Sequence, residues 1–422
     1  MSCIYKLCKL ANYLSTQVAA RMADLTKFQP LFPEERVLGE LQELASRLLT
    51  EGLRLGGQAG EPLLRVLSPK LRAMNSYYTN KIEGQHTRPA DIERALRKEF
   101  DADAALARKQ RLAIAHMEVE KELEQKVFGS AAKTLFSPQL VQEIHAFLYG
   151  KLHEADRFTD EGTPIVPGEY RTKDVTVGRH MAPPPEEVPG LLEGWADRYQ
   201  QVAGNEALLI GIACSHHRLA WAHPFVDGNG RAARLHSHLV LHAMGLTNGL
   251  WSPMRGLART RDQYYACLNN ADQPRRNELD GRGQLSQDEL VAFAKYFLDV
   301  CLDQITFMRD QIDLGLIRLH LKNLLLYLQE NPWQVGSEKS VVKVDALEPL
   351  HYAAITGPME RSRFVSMIGV EGRTGRRILA SLLDYGVLTS ETSRAPVAFA
   401  IPLKSLRFLF PRLWPEAEVD SA

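Results

Sequence analysis

The stretch NEALLIGIACSHHRLAWA, residues 205–222, is apolar on most of its faces. A helix of that kind has no side to give to water, so it must sit at the centre of the molecule with other elements packed around it. It runs directly into HPFVDGNGRAAR, residues 223–234, and a second apolar helix continues through His242. Two buried helices joined by a short polar loop therefore set the middle of the fold. The second helix opens with Arg231 and Arg234. A helix N-terminus already carries partial positive charge, and an arginine in the first turn is unfavourable by about 0.3–1 kcal/mol. A negative group is expected there.

The loop residues say which group. Gly228, Asn229 and Gly230 tolerate turn conformations that most residues avoid. Where such a loop enters a helix, consecutive backbone N–H groups converge on one anion. Arg231 and Arg234 are three apart, on one helical face, and reach the same charge. That charge is read as a polyphosphate. Asp227 is placed to hold Mg²⁺, which takes one or two carboxylates together with phosphate oxygens. His223 can accept a proton from an attacking hydroxyl, and Phe225 anchors the loop in the core.

Around this centre the apolar spacing predicts helices over 34–57, 62–84, 90–127, 137–152, 186–202, 258–271 and 286–330. Ser137-Pro138 is an N-cap followed by a first-turn proline. Between the helices, residues 160–189 are rich in Gly and Pro, and Val175, Thr176, Val177, Gly178 and Arg179 predict a short hairpin. Residues 331–344 read as a linker. Beyond it come three short helices, 346–356, 360–369 and 374–388, and a candidate two-stranded wing in SETSRAPVAFAIP. The expected divisions are an N-terminal extension over 1–33, disordered or preceding a true start at Met22, a helical region over 34–128, a core over 129–330 and a winged-helix-like unit over 345–422.

The run from His223 to Arg234 resembles the complete signature of the Fic family, H-P-F-x-[DE]-G-N-G-R-x-x-R, with a looser likeness over residues 70–305. The resemblance implies an all-α fold with a small β-hairpin flap, and transfer of AMP from ATP to a protein Ser, Thr or Tyr hydroxyl. It implies that His223 is the base, Asp227 holds magnesium, and Gly228, Asn229, Gly230, Arg231 and Arg234 bind phosphates. The hairpin VTVGRH (Val177, Gly178, Arg179, His180) matches the family's flap, on which a target protein docks along residues 174–181 by adding a strand. Tyr264 and Tyr265 match tyrosines near the nucleotide base; core packing is the alternative. Some relatives carry an Asn where this chain has Asp272.

NSYYTNKIEGQHT, residues 75–87, contains Thr79 and, four residues on, Glu83-Gly84. This resembles the [ST]-x-x-x-E-[GN] inhibitory motif of autoinhibited family members. By that resemblance Glu83 pairs with Arg234 and takes the place of the γ-phosphate.

The chain has 51 basic and 51 acidic residues, which argues against a whole-protein grip on nucleic acid or an anionic membrane. No apolar run approaches the roughly 20 residues of a membrane helix. Five cysteines without a CxxC fit a reducing cytoplasm better than a disulfide framework or a zinc site. His238 and His242 lack the neighbouring glutamate of HExxH, so zinc is not expected there. Arg373, Arg376 and Arg377 begin the candidate recognition helix of the winged unit. This keeps a rival reading open: a DNA-binding regulator whose core senses nucleotide. A different nucleotide, phosphotransfer, removal of AMP, a protein contact through the winged unit and homo-oligomerisation also stay open.

Overall fold

The computed structural model describes residues 24–413 apart from 59, 179 and 313. The apolar stretch forms helix α7 (Asn205–Ala222). It is packed on four sides, by α1 (Gly39–Gln58), α6 (Val188–Gln200), α8 (Asn229–Ala243) and α11 (Gln287–Gln311). This enclosure is what its composition requires. A second layer is built from α2 (Glu61–Ile82), α4 (Ala104–Val127) and α5 (Pro138–Gly150), with α8 shared between the layers. The Ser137 hydroxyl accepts from Leu140 N at 3.0 Å and caps α5.

Three expected segments are divided. Residues 90–127 hold α3 (Pro89–Leu96) and α4, separated at Lys98, whose φ is 65°. Asp103 stops the helix from continuing: its carboxylate accepts from Ala105 N and Leu106 N, a better use of a short acid than a helix interior. Residues 254–271 hold α9 (Met254–Arg259) and α10 (Arg261–Ala271), and the span expected over 286–330 holds α11 and α12 (Leu314–Glu330). The described end of the expected N-terminal extension over 1–33 packs on the core. Phe28 is fully buried with its ring 5.2 Å from that of Trp221, and Arg218 Nε donates to Pro30 O at 3.0 Å. Met22 lies outside the described residues.

The Gly/Pro-rich stretch carries the hairpin β1 (Thr176–Val177) and β2 (His180–Met181), paired Thr176↔Met181 and Val177↔His180. The expected linker over 331–344 holds a second small hairpin, β3 (Gln334–Val335) with β4 (Glu338–Lys339). After it come α13 (Leu347–Thr356), α14 (Arg361–Ile368), α15 (Gly372–Tyr385), the antiparallel pair β5 (Leu388–Thr389) and β6 (Ala398–Phe399), and α16 (Leu403–Leu409). The fold is predominantly α-helical with small hairpins. Among the described residues no helix is long and apolar enough to cross a membrane.

Several core positions are histidine. His216 lies between Ser237 Oγ at 2.9 Å and Tyr264 OH at 2.8 Å, and His236 donates to Leu135 O at 3.0 Å. Burial lowers their pKa values, that of His236 to about 4 and that of His216 well below the ordinary range. The unfolded chain titrates these groups near 6.5, so between pH 6.5 and 4 it binds more protons than the folded chain. Stability should therefore fall with falling pH by about 1.4 kcal/mol per pH unit for each such histidine. Urea melts at pH 7 and pH 5 would show a clear loss at the lower pH; coincident curves would contradict it.

Candidate functional site

Helix α7 ends at Ala222, and His223 follows in a left-handed conformation, φ 46° and ψ 60°. A non-glycine residue held there stores strain, and strain of that kind clusters at functional sites. The loop after it is closed by Asn229, whose side chain exchanges two hydrogen bonds with the backbone of Phe225, both 2.8 Å. Phe225 is fully buried and stacks on His145, with centroids 3.9 Å apart. His145 accepts from Gly168 N at 2.9 Å and donates through Nε2 to Asp227 O at 3.1 Å, which defines its neutral tautomer. Gly228 turns at φ 81°, where a Cβ would meet Tyr149 OH at 2.8 Å. Helix α8 starts at Asn229, so its first N–H groups face out of the helix without intrahelical acceptors.

Arg171 ties the hairpin to this loop. Its guanidinium, 2% exposed, donates to His223 O at 2.8 Å, to Lys173 O at 3.0 Å and to Pro183 O, while its own N–H donates to Pro224 O at 2.9 Å. The His223 pKa is lowered to about 4, chiefly by burial and further by Arg171 and His180. The imidazole is neutral at pH 7 and free to take a proton.

Both motif arginines are buried, at 3% and 1% exposure. Arg231 Nη2 donates to Tyr149 OH at 2.8 Å and to Asp227 Oδ2 at 3.2 Å. Tyr149 OH in turn donates to the same carboxylate oxygen at 2.8 Å, and Gly228 N donates to Asp227 Oδ1 at 2.7 Å. Burial alone would raise the Asp227 pKa; Arg231 and these donors outweigh it and hold the carboxyl ionised below its usual range. Arg231 Nε has no hydrogen-bond partner among the described residues. Arg234 is held chiefly by α2 and its end. Its Nε donates to Thr79 Oγ1 at 2.8 Å and its Nη2 to Thr79 O at 3.2 Å and to Glu83 Oε1 at 2.5 Å, and the guanidinium also donates to the Tyr264 hydroxyl of α10. Glu83 lies directly over Gly230 at the start of α8. Burial is the largest influence on the Arg234 pKa and lowers it, but Glu83, Tyr264 and Tyr265 together outweigh burial and hold the pKa above its ordinary range.

The hairpin and the tyrosines are placed less simply. Val177 is 42% exposed and Met181 77%, while His180 Nε2 donates to Trp221 O at 2.8 Å, pinning the hairpin beside the end of α7. Gly178 makes the turn at φ 60°; Arg179 lies outside the described residues. Tyr264 is buried against His216 and so presents no face to a nucleotide base in this conformation. Tyr265 OH donates to Ile82 O at 3.1 Å, beside Arg261 Nε at 3.0 Å on the same carbonyl. These two side chains satisfy a carbonyl that the C-terminus of α2 leaves open. Asp272 sits 3.1 Å from His217 Nε2. Sequence reasoning missed Tyr149, Arg171 and Arg261. It also missed the acids facing His238: Glu124 and Glu120 come from α4, not from α8 itself.

Residues 135–241 match the Fic/DOC family. The chain carries a Fic/DOC domain. Its match runs from just before α5 to the last turn of α8, which covers the loop and both arginines. The chain is 30% identical over 143 residues to Protein adenylyltransferase Fic of Drosophila mojavensis, covering 34% of this chain and 28% of that protein. It is 32% identical over 133 residues to the Nematostella vectensis protein of the same name, covering 31% and 27%. The alignments thus span less than a third of these relatives. Fic-1 of C. elegans, residues 134–508, superposes with a TM-score of 0.50 at 19% identity, covering 65% of this chain and 73% of that one, a likeness of fold.

Arg171 to Met should release the hairpin, since three carbonyls lose one guanidinium. Amide exchange over residues 173–182 should rise by at least about tenfold, the equivalent of about 1.4 kcal/mol. Unchanged exchange there would remove Arg171 from the account.

Proposed function

We propose that this Fic/DOC chain is a nucleotidyltransferase that moves AMP from ATP to a Ser, Thr or Tyr hydroxyl of a target protein, and that Glu83 holds it in check. One observation carries the proposal. The first N–H groups of α8 and two buried arginines form an anion site, and the anion found in it is the chain's own carboxylate. The names of the two curated relatives support the same reaction.

The residues divide the work by position. ATP phosphate oxygens would take the N–H groups at the start of α8 together with Arg231 and Arg234. The target hydroxyl attacks the α-phosphorus, the bond to the β-phosphate bridging oxygen breaks, and pyrophosphate leaves with its charge met by the arginines. His223 takes the hydroxyl proton. Asp227 is ionised, 28% exposed and beside the phosphate loop, which fits a cation held by one carboxylate and phosphate oxygens. Mg²⁺ bound there would neutralise phosphate charge. The edge of the β1–β2 hairpin is open for a target segment to add as a strand. Glu83 excludes a γ-phosphate from Arg234 by charge and by volume, so ATP seated alongside it would be misaligned.

For the C-terminal unit we propose a winged-helix-like interaction module. Arg373 and Arg376 are exposed on α15, but Arg377 is paired with Glu338 at 2.8 Å. That thins the basic surface a DNA reader needs and favours a protein contact.

Wild type, Glu83→Gly and His223→Ala should be incubated with Mg²⁺, cell lysate and ATP labelled at the α- or the γ-phosphate. Label on protein from the α-position only, raised at least about tenfold by Glu83→Gly and abolished by His223→Ala, is expected. Label from γ alone would make it a phosphotransferase, and no label in any arm would favour nucleotide sensing. In Glu83→Gly the acid limb of the pH–rate profile should fall near pH 4, where His223 becomes protonated, rather than near the ordinary 6.5. A limb near 6.5 would assign the base elsewhere.

A further inference from the structure

We infer that Glu120, Glu124 and His238 form a buried site for a divalent metal ion of the zinc class, separate from the nucleotide loop. His238 is nine residues beyond Asn229 on α8, which places it about 14 Å along the helix from the loop. Glu120 and Glu124 are one turn apart on α4, and one donor atom from each of the three residues lies within 4.8 Å of the others. His238 Nε2 is 2.9 Å from Glu124 Oε1 and 3.8 Å from Glu120 Oε1. Ligands of a tetrahedral ion with bonds near 2 Å stand about 3.3 Å apart, between those two values.

The surroundings independently point to a ligand. His116, one turn before Glu120 on α4, is 1% exposed, and neither of its ring nitrogens has a hydrogen-bond partner. Its Nδ1 is 3.6 Å from Glu120 Oε2, which is also without a partner. Buried polar atoms left in that state are rare and expensive. A cavity of about 10 Å³ opens against Arg72, Asn75, Glu120, Glu124 and His238, room for one small ion or water and far too little for a nucleotide.

Charge agrees with geometry. Two buried carboxylates face one guanidinium, and Arg72 engages only Glu124 Oε2, at 2.6 Å. Glu124 Oε1 is left turned toward His238. Glu120 has the neutral Asn75 amide at 2.8 Å. A cation among these donors supplies the compensation that buried carboxylates need. Two oxygens and an imidazole nitrogen suit Zn²⁺, with a water as fourth ligand; Mg²⁺ would require near-octahedral oxygen ligation. Arg72 and Asn75 belong to α2, so the ion would join the helix that ends in Glu83 to α4 and α8.

The full chain, stripped with chelator, should be titrated with Co²⁺. One equivalent with visible bands of four-coordinate intensity is expected, displaced by Zn²⁺, retained in Asp227→Ala and lost in Glu120→Gln. His238→Cys should keep binding and add a thiolate-to-cobalt charge-transfer band. X-ray absorption on the zinc-loaded wild type should show imidazole together with carboxylate oxygen, which decides the matter without any variant. No cobalt band, a band lost only in Asp227→Ala, or an all-oxygen zinc environment would overturn the site.

Discussion

Arg231 and Arg234 enter α8 almost without exposure, at the helix end where positive charge is least welcome. Neither guanidinium can lose its proton, and neither can reach water. Everything around them follows from that constraint. Tyr149 and Asp227 are drawn in on one side and Thr79 and Glu83 on the other, from helices far apart in the chain. The architecture that wraps α2, α4 and α5 around the central helix pair is also what delivers these anions and dipoles. A single loop motif thereby brings α2 and α5 to the start of α8.

The same constraint explains why the middle of the molecule carries so many imidazoles. His145, His216 and His236 each have both a donor and an acceptor atom, and in the neutral form they can join backbone and hydroxyl groups without adding charge to an interior that already holds buried arginines. His145 shows the use most clearly. It stacks on Phe225 and bonds to Asp227 O, so the height and tilt of the motif loop are set by a ring on α5.

The helices that were legible in the sequence were those with one long uninterrupted stripe, α7 and α8 above all, and the loop between them, where glycines, an acid and two arginines stand at fixed spacing. Glu83 was singled out through the resemblance of Thr79-x-x-x-Glu83-Gly84 to the family's inhibitory motif, and its contact with Arg234 is what the fold adds. What was not legible came from pairing across the fold. Tyr149 looks like any core tyrosine until α5 meets α8. Arg171 sits in a stretch without periodicity, where no spacing says which carbonyls it will bridge. His238 was set aside for want of an acid on its own helix, while its acids stood on α4. The break at residues 97–103 was hidden because apolar spacing resumes after it nearly in phase, and only the capping by Asp103 marks it.

The grip of Arg261 and Tyr265 on Ile82 O holds the last turn of α2 in place whether or not Glu83 is engaged. Glu83 is the residue just past that turn, so withdrawing its carboxylate needs rotation about side-chain bonds and no unwinding of the helix. Rotations of that kind are complete within nanoseconds, whereas helix displacement takes microseconds or longer. On the proposed function, release of Glu83 would then be governed by occupancy rather than by a slow conformational gate. Under that proposal a relieving signal would have only to offer Arg234 a better-placed anion, or shift the carboxylate by a side-chain length, and the site would respond on every encounter with ATP.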